Sequence, residues 1–322
     1  MSEAALRACG HALRHNLGLR SGERVVVIAD APMLEIGRIF EAAARTITPR
    51  VDLVGIPEAK RGGEEPPGGA ARAMLRADVV LLVVSRSLSW TRAREEATRA
   101  GARLASMPGI TEPIILRTLG VDYDAVRDRA NRLADLLDAG GQALIRSKAG
   151  TDLALGIAGR SAHGRKGGIF REPGQWGNLP CGEAFIAPVE GTARGIYVVD
   201  GSQGGLGPVA EPIRVTVDQG RAIAFEGGEE ALRLRELLES TGNPSAFNVA
   251  EMGIGCNDAA RLSGATLEDE KVLGTCHVAL GSNAMFGGTV RAGIHLDGVL
   301  RDPTISIDGE TILESGRILP PR

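Results

Sequence analysis

The opening third of the chain alternates helical and extended patterning. Leu6, Cys9, Leu13 and Leu17 recur at three- and four-residue spacing behind Ser2, which predicts an amphipathic helix with a serine cap. The period then changes. Val25-Val26-Val27-Ile28, Val51-Asp52-Leu53-Val54 and Val79-Val80-Leu81-Leu82-Val83-Val84 are short β-branched runs, separated by segments of helical character such as 34–44. A fourth strand is expected at 103–106 after a helix over 92–100, and a long helix over 123–137 ends at Gly140-Gly141. Apolar runs without alternation, interleaved with helices, indicate parallel strands covered on both faces. The expectation for residues 1–145 is therefore a doubly wound α/β domain with a mainly parallel sheet.

Its first strand runs into Ala29-Asp30-Ala31-Pro32. A dinucleotide fold would place a glycine-rich turn there, bringing a helix N-terminus onto a pyrophosphate, so such a site is disfavoured. Residues 61–69, rich in Gly, Pro and Glu, read as an exposed connector. Beyond Gln142 the pattern shortens to strands broken by Gly and Pro, with one clear helix at 229–238. Residues 146–322 are expected to form a β-rich α+β domain that holds a metal.

Composition narrows the function. The 37 basic and 40 acidic residues are mixed along the chain and aromatics make up 3%, leaving neither a basic stripe for phosphates nor stacking platforms for bases. Nucleic acid is not an expected partner. No apolar stretch of membrane-spanning length occurs, and the first residues lack a signal-peptide core, so no membrane partner and a cytoplasmic location are expected. Cys9, Cys181, Cys256 and Cys276 are widely spaced, against a disulfide framework or a zinc ribbon.

The chemistry-bearing residues gather in the second half. In Ile294-His295-Leu296-Asp297 a strand would turn His295 and Asp297 to one face, where an imidazole and a carboxylate reach one ion. His277 lies in the largely apolar Gly274–Gly281 segment, where a neutral, coordinated imidazole is cheaper than a charged one. The same alternation puts Cys276 on the opposite face, a poor arrangement for a Cys–His dyad. Glu183 follows the turn Asn178–Gly182, and Glu251 precedes Met252-Gly253-Ile254-Gly255, where glycines permit close backbone approach. Each is a lone carboxylate in an apolar setting, hence a buried paired group or a ligand. With His277, His295 and Asp297 they suffice for one metal site or a tight dinuclear one. In Leu267-Glu268-Asp269-Glu270-Lys271, Glu268 is expected to belong to a solvated charge run. Asp269 and Glu270 are the candidate catalytic carboxylates, because a metal-water mechanism needs a proton acceptor.

The segments Gly150-Thr151-Asp152-Leu153, Asn178-Leu179-Pro180-Cys181-Gly182-Glu183, Glu251-Met252-Gly253-Ile254-Gly255, Asp269-Glu270, His277-Val278-Ala279-Leu280-Gly281 and His295-Leu296-Asp297-Gly298 resemble, in this order, motifs of the thermophilic-type leucyl aminopeptidases, the aminopeptidase T family. The resemblance covers about residues 150–310. It implies a homodimeric hydrolase that removes N-terminal residues from peptides at a two-metal centre, with Glu183 and Glu251 as carboxylate ligands and His277, His295 and Asp297 completing the set. The N-terminal domain would supply cleft walls or a dimer contact. One or two divalent ions are expected, zinc, cobalt or manganese. The chain departs from that family in having Ala284 where a tyrosine ligand stands, Lys271 where Asn is usual, and a short spacing between its two histidines. A relative of the same fold family, 2,5-dihydroxypyridine dioxygenase, holds iron with two histidines and an aspartate, and His277, His295 and Asp297 could form that triad. Hydrolysis of a peptide or related small amide is the leading expectation. Ring cleavage with Fe(II) is the alternative, and a non-catalytic metal-binding protein a further one.

Overall fold

The computed structural model describes residues 2–320. The chain divides into two compact units, and each draws on more than one stretch of sequence. One runs to Ala125 and resumes over Gly168–Cys181, while the other takes Val126–Gly167 and everything from Gly182 onward. The boundary expected at 145/146 thus falls inside the second unit, within the strand Gln142–Arg146 that pairs with Asp152–Gly156.

The first unit holds a five-stranded parallel sheet in the order Val51–Ile56, Val25–Asp30, Val79–Val83, Arg103–Ser106, Trp176–Asn178. The doubly wound α/β expectation holds. Val25–Asp30 and Val79–Val83 are buried at every position, as β-branched runs between covering helices must be. The edge strand Val51–Ile56 is buried only at its two ends. The helix Glu3–His15 starts at Ser2, whose side chain accepts from Ala5 N at 3.2 Å, and buries the stripe Ala5, Cys9, Ala12 and Leu13. Between Leu34–Arg45 and the sheet the approach is close: a Cβ on Gly37 would lie 2.9 Å from that of Ala29. At the end of the first strand, where sheets of this class bind ligands, the Asp30 carboxylate accepts from Ser85 N at 2.7 Å and Ser85 Oγ at 3.1 Å. An anion held by a serine stands where a phosphate-binding turn would be. The fifth strand, Trp176–Asn178, comes from far along the sequence and was not anticipated, nor was the helix Glu112–Thr118.

The second unit contains two antiparallel sheets. The larger runs in the order Arg221–Glu226, Ile213–Asp218, Arg194–Val199, Asp152–Gly156, Gln142–Arg146, Thr304–Ile307, Glu310–Glu314, Arg317–Ile318. The smaller runs Gly207–Pro208, Ser202–Gln203, His295–Leu300, Cys276–Gly281, Val249–Gly255, Glu183–Ile186. One hydrophobic cluster unites Ile145, Leu155 and Val215 of the larger sheet, Met252, Ile254, Val278 and Leu300 of the smaller, and Leu133 and Leu137 of the helix Tyr123–Ala139. Because strand side chains alternate, burying 252, 254, 276, 278 and 300 on one face commits their odd-numbered neighbours to the other. Among the described residues no helix is long and apolar enough to cross a membrane, and all four cysteines are buried and outside any disulfide.

Candidate metal centre

The pairing register of the smaller sheet assembles the centre. Glu251 lies opposite Ala279, and Ala279 opposite Asp297; Gly253 lies opposite both Phe185 and His277, Gly255 opposite Glu183, and Gly281 opposite His295. Directly opposed residues share a face, so Glu183, Glu251, His277, His295 and Asp297 all project from the face away from the core. Each stands across from a glycine or an alanine, which leaves room for groups from neighbouring strands to converge. The clearest case is Gly253: a Cβ there would come within 2.0 Å of His277 Nε2, so the imidazole occupies the space above the glycine. A register irregularity between Val249 and Glu251 keeps Glu251 in phase with Ala279.

His277 is fully buried, and its Nε2 lies 3.2 Å from Glu251 Oε1 and 3.6 Å from Glu183 Oε2. His295 Nε2 is 3.3 Å from Glu251 Oε2 and 3.2 Å from Asp297 Oδ1. Its other nitrogen, Nδ1, sits 2.8 Å from the Ser282 carbonyl, which fixes the ring and leaves Nε2 facing the carboxylates. Burial alone would raise the Glu251 carboxyl, but hydrogen bonds from His277 and His295 outweigh it and hold it below its ordinary value. Burial likewise acts upward on Asp297, and the charge and hydrogen bond of His295, with His277 and Lys271, hold it well below the carboxylate range. For His277 burial acts downward, but the Glu251 hydrogen bond and the Glu183, Glu251 and Asp297 charges prevail and bring it to about 9. Such a set favours positive charge at its middle.

The donors suit a divalent ion. Atoms of Glu251, His277 and Asp297 lie within 4.8 Å of one another, all on buried residues, and a second set with the same mutual reach joins Glu183, Glu270 and His277. Glu183 Oε2 is buried without a hydrogen-bond partner, an unmet acceptor that a cation would satisfy. Imidazoles with carboxylates suit zinc, iron or manganese rather than calcium.

The charged segment before His277 departs from expectation. Glu268, Asp269 and Lys271 are completely buried, so this is not a solvated run. Glu268 accepts from Arg261 N at 3.1 Å and Ser263 Oγ at 2.9 Å, and Asp269 from Ser263 N at 2.7 Å and Gly264 N at 2.9 Å. Both carboxylates tie down the 261–264 loop. Lys271 Nζ donates to Glu183 Oε1 at 2.6 Å and to Glu270 Oε1. Burial pushes the Glu270 carboxyl up; Lys271 opposes this, the Glu183 and Asp297 charges reinforce it, and the result is about 8.

An aromatic group beside His295 had no signal in the strand patterning. Phe286 meets the His295 ring edge-on at 5.7 Å between centroids and Phe185 at 5.6 Å, while His163 stacks on Phe185 at 5.3 Å. Phe286 belongs to the loop between the His277 and His295 strands. Glu190 fastens that loop, accepting from Asn283 Nδ2 at 3.0 Å and Thr289 N at 2.8 Å while pairing with Arg160. Neither tyrosine stands in for the one absent at Ala284: Tyr123 and Tyr197 are fully buried, and Tyr197 lies in the core cluster.

The family model of 2,5-dihydroxypyridine 5,6-dioxygenase matches residues 6–320. The chain is similar to the 2,5-dihydroxypyridine 5,6-dioxygenase of Pseudomonas putida, with 26% identity over 269 residues, which are 78% of this chain and 74% of that protein. Among solved structures, 2,5-dihydroxypyridine dioxygenase from Pseudomonas putida KT2440 superposes with a TM-score of 0.84 at 22% identity, covering 100% of this chain and 99% of that one. Wild-type AmpT from Thermus thermophilus superposes with a TM-score of 0.70 at 19% identity, covering 98% and 99%. At those identities the structural likenesses establish the fold. The matches overturn the expectation of an aminopeptidase-like hydrolase: the likeness to aminopeptidase T is one of architecture, whereas the family match is to a dioxygenase. Glu183 and Glu251 have partners without a second ion, since Glu183 is bonded to Lys271 and Glu251 to the two imidazoles.

Proposed function

We propose that this chain, which belongs to the 2,5-dihydroxypyridine 5,6-dioxygenase family, opens a dihydroxylated aromatic ring with dioxygen at one ferrous ion held by His277, His295 and Asp297. Two imidazoles and one carboxylate are the donor set that would hold such an ion. When bound, that ion supplies affinity for dioxygen and for ring hydroxyls, and the one-electron chemistry that lets the two react. The aromatic wall carries the reading: Phe286, Phe185 and His163 form contiguous ring surfaces ending against His295, a lining suited to a flat aromatic ring.

The remaining residues set up the donors. The Ser282 carbonyl, by accepting from His295 Nδ1, leaves a lone pair on Nε2 toward the centre. Glu251 braces both imidazoles and balances positive charge. Glu270, beside the centre with its carboxyl pushed up by burial, stands where it can exchange a proton with a substrate oxygen.

The test is to load metal-free protein with ferrous iron under argon, add 2,5-dihydroxypyridine, and admit oxygen while following the substrate absorbance and oxygen uptake. Loss of substrate coupled mole for mole to oxygen, seen with iron and not with zinc, is expected. Absence of oxygen uptake with iron, or equal turnover with zinc, would overturn the proposal.

A further inference from the structure

The face that carries the centre presents two donor groups, and they overlap at His277. One is Glu251, His277 and Asp297; the other is Glu183, Glu270 and His277, each with its donor atoms within 4.8 Å of one another. The second already contains a positive charge. Lys271 Nζ donates to Glu183 Oε1 at 2.6 Å and to Glu270 Oε1, and the lysine is completely buried. An ammonium out of water is costly unless paired, and here two carboxylates share it, as they would share a metal ion.

The backbone is shaped to put it there. Gly255 is paired with Glu183 across the strands, and the 271–272 peptide lies over that glycine: a Cβ on Gly255 would sit 1.9 Å from the Val272 carbonyl oxygen. Asn257 N donates to the Lys271 carbonyl at 2.8 Å and Leu273 N to the Asn257 carbonyl at 3.0 Å, fastening the segment on both sides. Lys271 is thus held by main-chain bonds, with its side chain beside Glu183.

We propose that the Lys271 ammonium occupies the place of a second cation, making this a one-ion centre, and that replacing it turns the Glu183, Glu270 and His277 group into a site for a second divalent ion. The inference rests on the reading of His277, His295 and Asp297 as the iron-holding set, and it names what keeps that set mononuclear on a face with donors for more. An ammonium is a compact point charge with donors in several directions, so it balances both carboxylates without offering an open coordination position.

The experiment counts bound metal. Metal-free wild type, K271M, K271Q and K271R are incubated with excess cobalt(II) under argon, desalted, and assayed for cobalt by atomic emission and for its visible absorption bands. The wild type and K271R should retain about one equivalent, and K271M and K271Q about two. The melting temperatures of K271M and K271Q should keep rising with cobalt after the first site is full, because the second ion restores charge to buried carboxylates. E183Q/E270Q/K271M, which removes those carboxylates together with the ammonium, should fold without added metal and return to one equivalent, guarding against simple misfolding of K271M. One equivalent in folded K271M and K271Q would overturn the inference and leave the iron-site reading standing. Two equivalents in the wild type would also overturn it. No metal retained by the wild type would remove the iron-site reading, and the inference with it.

Discussion

The two halves of the metal-centre face are built from similar residue types and behave differently. On one side Glu251 and Asp297 meet two imidazoles, side chains that can all also hold an ion. On the other side Glu183 and Glu270 meet Lys271, and the cation belongs to the chain itself. The first half borders the 282–294 loop with its aromatic wall, while the second borders the short helix Thr266–Asp269, whose carboxylates fasten backbone. A cluster of acids is therefore not one kind of object. Its chemistry depends on whether the balancing charge is a fixed side chain or an exchangeable ion.

The widest separation between the halves should come from removing the imidazoles. His277→Ala or His295→Ala is expected to weaken iron or cobalt binding by at least about 100-fold, beyond the 10–100-fold typical of residues that merely support ligands; equilibrium dialysis against a chelator measures it. Retention of full metal content in the double variant would erase the distinction drawn above.

A smaller effect is expected from one methyl group. Gly253→Ala places a Cβ 2.0 Å from His277 Nε2, and the ring must move. Metal affinity should fall roughly 10-fold or more, the scale of a disturbed supporting contact, with far-ultraviolet circular dichroism unchanged. Unaltered affinity would show that the imidazole has freedom the packing denies.

Phe286→Ala tests the border of the open half. Loss of one ring–ring contact corresponds to about 1 kcal/mol, or a several-fold rise in KM for the aromatic substrate, while bound iron stays the same. A fall in iron content with KM unchanged would reassign Phe286 from the substrate wall to support of His295.

The smallest effect concerns the loop clamp. Burial acts upward on the Glu190 carboxyl, but hydrogen bonds from the Thr289 and Glu190 backbone N–H groups and Asn283, with the Arg160 charge, bring it down to about 2 from an ordinary 4.5. A folded-state value below the unfolded one contributes stability that is present above about 4.5 and lost as pH falls toward 2. The melting-temperature gap between wild type and E190Q should be widest near neutral pH and close over that window. A constant gap would mean that the clamp's contribution is steric.

Much of the architecture was legible in the sequence because it follows from periodicity. The wholly apolar runs at 25–28 and 79–84 could only be covered strands, and the two-residue period separated Cys276 from His277 and joined His295 to Asp297. The five centre residues stood out as polar groups inside Gly-punctuated apolar segments. What escaped depended on distant partners. Trp176–Asn178 pairs with 104–106 across some seventy residues, a relation that local pattern does not encode. Glu268 looked like surface because it opens a run of four successive charges, and such runs usually are. Their burial is made tolerable by Arg261, Ser263, Gly264 and Glu183, none of which advertises the pairing. The aromatic wall joins residues 163, 185 and 286 from three separate segments, and no single stretch shows it.

The loop between the His277 and His295 strands does two jobs with one piece of backbone. Its Ser282 carbonyl orients His295, and four residues later Phe286 forms the wall against the same imidazole. On the proposed function, selectivity and redox tuning would be coupled here: a substitution that reshapes the wall for a bulkier ring would also tug on the carbonyl that orients the imidazole. Lineages or libraries exploring new substrates through this loop should find ring preference and iron potential drifting together, whereas changes at Phe185, which sits on a different strand, leave the two traits free to vary apart.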